Sequence, residues 1–306
     1  MTSAGQSVGS ARAVVREGGP AMIPGPPVAA PDTATLPGSA PATTAPPIVV
    51  KLGGRALEAP GAPRELALEL ARLSGGTLLV HGGGHEVTDW SARLGIAPRF
   101  LDGLRVTDPD TLEVAVAVLA GLANTRLVAT LRAAGVDAVG LNALDGGVVE
   151  VARHADASRL GAVGQVVAIH PPLLETLLAQ GRTPVLASIG ASGEQLLNVN
   201  ADDLAGALAG ALHARVLVLL SDTPGVRLDG RIVPRLEGRA IAAALEHPDV
   251  KDGMRPKLRA AAQAIADGAQ RVVIGAWNGP GTLAALLEGE GDGTTLIGSP
   301  MEASRG

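Results

Sequence analysis

From Ile48 onward the chain alternates short, continuous apolar runs with longer segments in which apolar residues return every third or fourth position. The runs Ile48–Val50, Thr77–Val80, Ala138–Leu141, Thr183–Ser188, Val216–Leu220 and Arg271–Ile274 read as strands buried on both faces, because a strand with one wet face would alternate apolar with polar. The periodic segments predict helices over Pro63–Leu73, Glu86–Leu94, Asp108–Ala134, Pro172–Ala179, Ala201–Leu212, Gly238–Leu245, Met254 (or Pro256)–Asp267 and Thr282–Leu287. Val148–Val167 reads as a hairpin-like region. Strand and helix in turn predict an α/β fold, a mainly parallel sheet with helices on both faces. There is no internal repeat at a short fixed period.

The pattern is missing before residue 48. Met1 to Pro47 is rich in Ala, Pro, Gly, Ser and Thr, and is expected to be a disordered tail. Prolines together with Arg12, Arg16 and Glu17 interrupt any apolar core of a secretory leader, so export is not expected. Gly5-Gln6-Ser7-Val8-Gly9 spells a serine-hydrolase elbow, but no strand precedes it to hold the strained turn. Met22 is an alternative start.

Composition narrows the chemistry. With 306 residues the chain can hold one large α/β domain or two lobes. A formal net charge of -5 gives no reason to expect nucleic acid or an anionic membrane as partner. The absence of cysteine removes disulfides, thiolate metal sites and cysteine nucleophiles together. One phenylalanine, two tryptophans and no tyrosine leave almost nothing on which bases could stack. No apolar run is expected to span a bilayer.

The candidate chemistry lies where strands end. Ile48 to Gly54 reads Ile-Val-Val-Lys-Leu-Gly-Gly, so Lys51, Gly53 and Gly54 bring a positive charge and unhindered amides to one point, which suits a phosphate. The next strand ends in His81-Gly82-Gly83-Gly84, where Gly83 and Gly84 can add amides. Either glycine cluster alone is more often a plain turn, and the two together carry more than either. Arg105 precedes a Thr107-Asp108 helix cap and could grip a carboxylate through two hydrogen bonds or pair with Asp108 at the surface. Asn198, Asn200 and Asp202 alternate toward a helix start as a polar row; ordinary capping explains one of the three. Ser221 to Val226, with Asp222 and Gly225, is a candidate nucleotide loop or a common turn. Lys257 stands in the first turn of a helix, where the dipole disfavours a cation unless a polyanion offsets it; a solvated lysine is the alternative.

Other patterns carry less. His81 and His85 have the spacing of helical zinc ligands, but three glycines separate them, so no metal site is assigned. Gly279-Pro280-Gly281 comes too late for a dinucleotide fold and reads as a turn before a helix. No Gly-x4-Gly-Lys-Ser/Thr loop is present, so a phosphate site here is not a P-loop.

Taken in order, Val-Lys-Leu-Gly-Gly (50–54), Val-His-Gly-Gly-Gly (80–84), Asp-Gly-Leu-Arg-Val-Thr (102–107), Asn-Val-Asn-Ala-Asp (198–202), Ser-Asp-Thr-Pro-Gly-Val (221–226) and Gly-Met-x-Pro-Lys (253–257) resemble the amino acid kinase family over about Ile48 to Ile297. The resemblance implies a three-layer αβα sandwich of the carbamate kinase-like type. It divides the chain into a tail at 1–47, a lobe at 48–214 for an acyl amino acid, a lobe at 215–298 for ATP, and a short tail at 299–306.

It also implies roles. Lys51 and Lys257 would stabilise the phosphoryl group in flight, and Asp202 would orient both. Gly53, Gly54, Gly83 and Gly84 would supply amides. Arg105 and Asn198 would hold the acceptor's α-carboxylate, and Asp222 and Gly225 would face the nucleotide. The implied substrates are ATP with Mg²⁺ and N-acetyl-L-glutamate, with no nucleic acid or membrane partner, in a cytoplasmic enzyme of arginine biosynthesis. Alternatives are N-succinylglutamate, a carrier-protein-linked aminoadipate or glutamate, or a non-catalytic ligand sensor, which loss of either lysine would favour. Arginine-inhibited relatives link dimers through an N-terminal helix. The Pro-rich tail does not resemble one, although Ser10–Glu17 could form a turn or two, so a homodimer insensitive to arginine is expected.

Overall fold

In chain order the first elements are β1 (Ile48–Leu52), α1 (Ala62–Leu70), β2 (Thr77–His81), α2 (Gly84–Arg93), β3 (Phe100–Leu101) and β4 (Leu104–Arg105). A continuous helix follows: α3 (Pro109–Ala115), a π-helical segment Val116–Ala123 and α4 (Asn124–Ala133). Next come β5 (Ala138–Asn142), β6 (Val149–Arg153), α5 (Ala157–Leu160), β7 (Val163–Ile169), α6 (Pro172–Ala179), β8 (Thr183–Ala187), β9 (Ile189–Ser192) and β10 (Gln195–Val199). The remainder is α7 (Ala201–Ala211), β11 (Val216–Ser221), β12 (Arg227–Leu228), β13 (Arg231–Ile232), β14 (Arg235–Glu237), α8 (Arg239–Leu245), α9 (Met254–Ala266), β15 (Arg271–Ala276), α10 (Thr282–Glu288) and β16 (Gly293–Ile297). This computed structural model describes residues 45–53, 61–73, 75–251 and 253–298. The expected tails, apart from 45–47, lie outside the described residues, with Gly5–Gly9, Ser10–Glu17 and Met22 among them.

The main sheet has the order β14-β16-β15-β11-β1-β2-β8-β5 and is parallel except between β15 and β16. β1 is central: Leu52 is level with His81 of β2 on one side and with Leu220 of β11 on the other. The chain leaves β1 toward β2 and later returns on its far side at β11. This reversal of direction is where open α/β sheets form a crevice at their carboxyl edge.

Alternation along β1 decides what faces that crevice. Ile48, Val50 and Leu52 pack on the α1, α4 and α10 side, whereas Val49 joins the core on the α7 and α9 side. Lys51 has the parity of Val49 and therefore projects toward α7 and α9. Those two helices touch closely because α7 is built from alanine, leucine and glycine. A β-carbon at Gly206 would lie 2.8 Å from the Ala260 carbonyl oxygen, and one at Gly210 would lie 2.5 Å from Asp267 Cβ.

Three parts differ from the sequence expectation. Val148–Val167 contains β6 and the start of β7, with α5 between them, and these strands belong to a second sheet of order β6-β7-β10-β9. β9, β10, β14 and β16 carry too many glycine and polar positions to announce themselves as apolar runs; each is short and stabilised by its neighbour. Pro109–Ala133 is a helix of 25 residues, long and apolar enough by length and composition to cross a membrane, contrary to the expectation that no run reaches that length. Thr111, Val114, Ala115, Val118, Leu119, Asn124, Leu127 and Leu131 bury one of its sides in the protein.

Candidate active site

Lys51 is the penultimate residue of the central strand, Asp202 lies in the first turn of α7 and Lys257 in the first turn of α9. Asp202 Oδ1 stands 2.9 Å from Lys51 Nζ and accepts from Lys257 Nζ at 3.2 Å, and Oδ2 accepts from Lys257 at 3.2 Å. Lys51, Asp202 and Lys257 are 7%, 9% and 6% exposed, so Lys257 is not a solvated surface lysine. Burial pushes the Asp202 carboxyl upward, but the Lys51 and Lys257 charges and their hydrogen bonds outweigh it and hold the pKa down at about 2. Burial, reinforced by the neighbouring Lys51 charge, lowers Lys257, against the raising effects of Asp202 and Asp222. An ionised carboxylate with two cations on it is an aligning group and not a proton acceptor near neutral pH.

The glycines around this trio act in different ways. Gly53 donates its own N–H to the Leu220 carbonyl at 3.0 Å, so that amide is committed to the sheet, and the expectation that Gly53 offers it to an anion is revised. A β-carbon at Gly53 would occupy the place of the Lys51 ammonium group, so a side chain there would displace Lys51 from Asp202. Gly54 lies outside the described residues. Gly83 and Gly84 begin α2, whose first intrahelical bond runs from Val87 N–H to the Gly83 carbonyl, so the amides of the first turn are unpaired within the helix. That end of the helix is an anion site by geometry and dipole.

Arg105 turns inward from the β3–β4 hairpin. Its Nη2 donates to the Gly84 carbonyl at 2.6 Å and to Thr88 Oγ1 at 2.7 Å, and Phe100 covers the guanidinium at 4.8 Å. Its Nη1 is buried with no partner among the described residues, which leaves a donor for a ligand. Asp108 pairs with Arg99 instead, at 3.2 Å, and caps α3 through the Thr111 amide. Asn198 Nδ2 donates to Thr107 Oγ1 at 3.2 Å, and Thr107 is itself tied to the Arg105 carbonyl. Asn200 is the cap of α7, accepting from Asp202 N–H at 2.9 Å and Asp203 N–H at 3.0 Å, which orients the turn that carries Asp202.

Lys51, Arg105, Asn198, Asn200 and Asp202 line a cavity of about 200 Å³ together with Gly53, Gly83, Gly84, Phe100, Leu104, Val163 and Ser188. Ser188 was not singled out from the sequence, although its place at the carboxyl end of β8 is the same signal that pointed to Lys51. A larger cavity, about 680 Å³, opens between β7, α7 and α9 and shares Leu104, Val163 and Asn200 with the first. The cation lining it, Arg259, faces Asp203 at 3.8 Å, whereas Lys51, Asp202, Arg105 and the Gly83–Gly84 turn belong to the smaller cavity, and Lys257 joins that site through its contact with Asp202.

On the β11 side, Asp222 is exposed at the strand end and near enough to raise the pKa of Lys257. Gly225 is buried with a φ of 152°, and the turn is tied down by the bond from Val226 N–H to Thr294 Oγ1 at 2.8 Å. Arg255 donates to the Val250 carbonyl at 3.1 Å and anchors the entry to α9. The turn at Gly279–Gly281 starts α10, and the Glu69 carboxylate accepts from the Gly281 and Ala284 amides, so that helix end is already filled. Both ring nitrogens of His81 are engaged within the protein, and His85 is exposed.

A model of the amino acid kinase family matches residues 46–276. The chain belongs to the amino acid kinase family. It is 42% identical over 253 residues to the acetylglutamate kinase of Methanopyrus kandleri, covering 79% of this chain and 98% of the relative. To the acetylglutamate kinase of Symbiobacterium thermophilum it is 39% identical over 268 residues, covering 82% and 91%. Among solved structures, the N-acetylglutamate synthase of Neisseria gonorrhoeae, complexed with coenzyme A and N-acetyl-glutamate, superposes with a TM-score of 0.73 at 25% identity, over 83% of this chain and 60% of that one. The three-layer αβα architecture with a mainly parallel sheet is that of the family.

Proposed function

We propose that this chain transfers the γ-phosphoryl group of ATP to the γ-carboxylate of N-acetyl-L-glutamate, releasing ADP and N-acetyl-L-glutamyl 5-phosphate, an acyl phosphate of arginine biosynthesis. The relatives named acetylglutamate kinase support the acceptor. The observation that carries the reaction type is the Asp202 carboxylate held between the Lys51 and Lys257 ammonium groups at the end of the central strand.

A carboxylate acceptor is ionised near neutral pH, so the reaction needs no general base. One acceptor oxygen attacks the γ-phosphorus, the bond from that phosphorus to the bridging oxygen breaks, and the electron pair leaves with ADP. The difficulty is repulsion between two anions, and catalysis rests on alignment and charge neutralisation. In this reading Lys51 and Lys257 exchange part of their contact with Asp202 for the equatorial oxygens of the phosphoryl group, while the amides of Gly83 and Gly84 add the positive end of α2. The unpartnered Nη1 of Arg105, with Asn198 beside it, supports a seat for the acceptor's α-carboxylate.

Residues 48–214 would hold the acyl amino acid and residues 215–298 the nucleotide, with Asp222 and Gly225 on the nucleotide side. Magnesium fits as a companion of the phosphates. Asp202 is committed to two lysines, which leaves Asp222 as the accessible carboxylate, and Mg²⁺ ordinarily keeps several waters and few protein ligands. When bound it would neutralise charge on the β and γ oxygens. We assign the working unit as a homodimer, supported by the partly exposed apolar stretch Val116–Ala123; light scattering on the purified protein tests this.

A hydroxylamine trap for acyl phosphate, run with N-acetyl-L-glutamate, N-succinyl-L-glutamate and free glutamate, tests the reaction. Signal with the acetyl compound above the other two supports the assignment. A preference for the succinyl compound reassigns the acyl group, and no signal with any of them overturns the kinase reading.

A further inference from the structure

We propose that His81 is a positioning residue that fixes the orientation of the Gly82–Gly83 peptide, so that the Gly83 N–H is held toward the phosphate-binding cavity. The inference rests on the phosphoryl-transfer reading of that cavity for its effect on turnover, but its geometric content stands apart from it.

His81 is the last residue of β2 and is 3% exposed. Its Nδ1 lies 2.9 Å from the Gly82 carbonyl oxygen and its Nε2 lies 3.0 Å from Asn124 Nδ2. Asn124 Nδ2 can only donate, and it also donates to the Val185 carbonyl at 3.0 Å. Nε2 is therefore the accepting nitrogen, so the neutral ring carries its proton on Nδ1 and gives it to the Gly82 carbonyl. Burial lowers the histidine's pKa, which keeps the ring in that neutral form.

The consequence follows from the planarity of the peptide. In a trans peptide the C=O and the following N–H point in opposite directions. Drawing the Gly82 oxygen onto the His81 ring aims the Gly83 N–H away from the ring, toward the cavity that Gly82, Gly83 and Gly84 line. A glycine pair has little steric resistance to rotation of the peptide between them, so without a tether this amide can turn its oxygen toward the anion instead.

The same helix holds the loop twice. Leu119, inside the π-helical segment, packs so close to Gly83 that a β-carbon there would lie 2.7 Å from its Cδ2. Asn124 follows five residues later, at the end of that segment. At 3.6 residues per turn, positions five apart diverge around the helix, whereas the i→i+5 spacing of a π turn brings them toward one side. Gly140 completes the arrangement, since any β-carbon there would collide with Asn124 Oδ1.

The test compares His81→Asn with His81→Gln. Asn keeps a nitrogen donor bonded to Cγ, in the place of Nδ1, and gives up the contact with Asn124; Gln moves its polar group out toward Asn124 and gives up the donor at that place. The readouts are the ¹⁵N–¹H resonance of the Gly83 amide and steady-state kinetics, with melting temperature as the control for folding. The expected result is a Gly83 resonance close to wild type and kcat within about threefold in His81→Asn. In His81→Gln the Gly83 resonance should be displaced and kcat should fall about tenfold or more, with KM for the acceptor nearly unchanged, because an oxyanion donor acts mainly in the transition state. Equal losses in the two variants, or an unmoved Gly83 resonance in His81→Gln, would overturn the proposal. A displaced resonance in a protein without kinase activity would uphold the positioning role and count against the kinase reading alone.

Discussion

Lys51 and Lys257 reach a single carboxylate, Asp202, from a central strand and from a helix far along the chain, at 2.9 and 3.2 Å. The carboxylate is bridged by two like charges in a buried site. Removing it should therefore act on stability as well as on rate.

Asp202→Asn preserves shape and removes the charge that both lysines share. Breaking a buried ion pair from one side costs about 3–5 kcal/mol. Urea denaturation should register a loss of roughly that size, and kcat should fall at least about tenfold, because the two ammonium groups lose their common anchor. A variant as stable as the parent would contradict the buried triad.

The same carboxylate predicts an acid limb. Its pKa falls from 3.8 in the unfolded chain to about 2 in the fold, so the folded state holds its proton less tightly than the unfolded state does. Its stabilisation is complete above about pH 4 and is lost as pH falls through about 2, a difference of roughly 2–3 kcal/mol. Denaturation midpoints measured between pH 6 and pH 2 should drop more steeply in the wild type than in Asp202→Asn.

At the alkaline end the responsible group is Lys257, whose pKa burial pushes below the ordinary lysine value of 10.5. Its charged form is the competent one, so kcat/KM should decline on a limb centred below that value. Lys257→Arg retains a charge that does not titrate in this range, and whatever activity it keeps should not show the limb.

Arg105→Lys tests the acceptor side. The lysine keeps the charge but not the fork that serves Gly84, Thr88 and a ligand together. KM for N-acetyl-L-glutamate should rise about tenfold or more while KM for ATP changes little. Equal changes in both would place Arg105 outside the acceptor's seat.

Gly206→Val tests the packing that brings the helices together. The added side chain meets the Ala260 backbone, so α7 and α9 must separate, at a cost of about 1–3 kcal/mol. Since Asp202 is on one helix and Lys257 on the other, turnover should fall more than thermal stability alone explains.

Much of this was legible in the sequence. Strands buried on both faces announce themselves as unbroken apolar runs, and β1, β2, β8, β11 and β15 were all visible in that way. Lys51, Asp202 and Lys257 were visible because each stands beside a strand end or helix start with a local signature. What was hidden depends on partners remote in the chain. β16 and β9 are too rich in glycine and polar residues to be read without the strands they join. Gly53 reads as an anion-binding amide until Leu220 is seen to accept its proton, and only the fold reveals that the glycine makes room for Lys51. His81 looked like a discarded metal ligand because nothing in its neighbourhood names Asn124.

The most direct measurement is the pairing of single-turnover rate with N-acetyl-L-glutamate affinity in Lys257→Ala. Loss of one transition-state charge contact should slow phosphoryl transfer by at least about tenfold while calorimetry gives a dissociation constant within about threefold of wild type. A variant that transfers phosphate at the wild-type rate would contradict the role assigned to Lys257, and with it the shared grip of the two lysines on the group in flight.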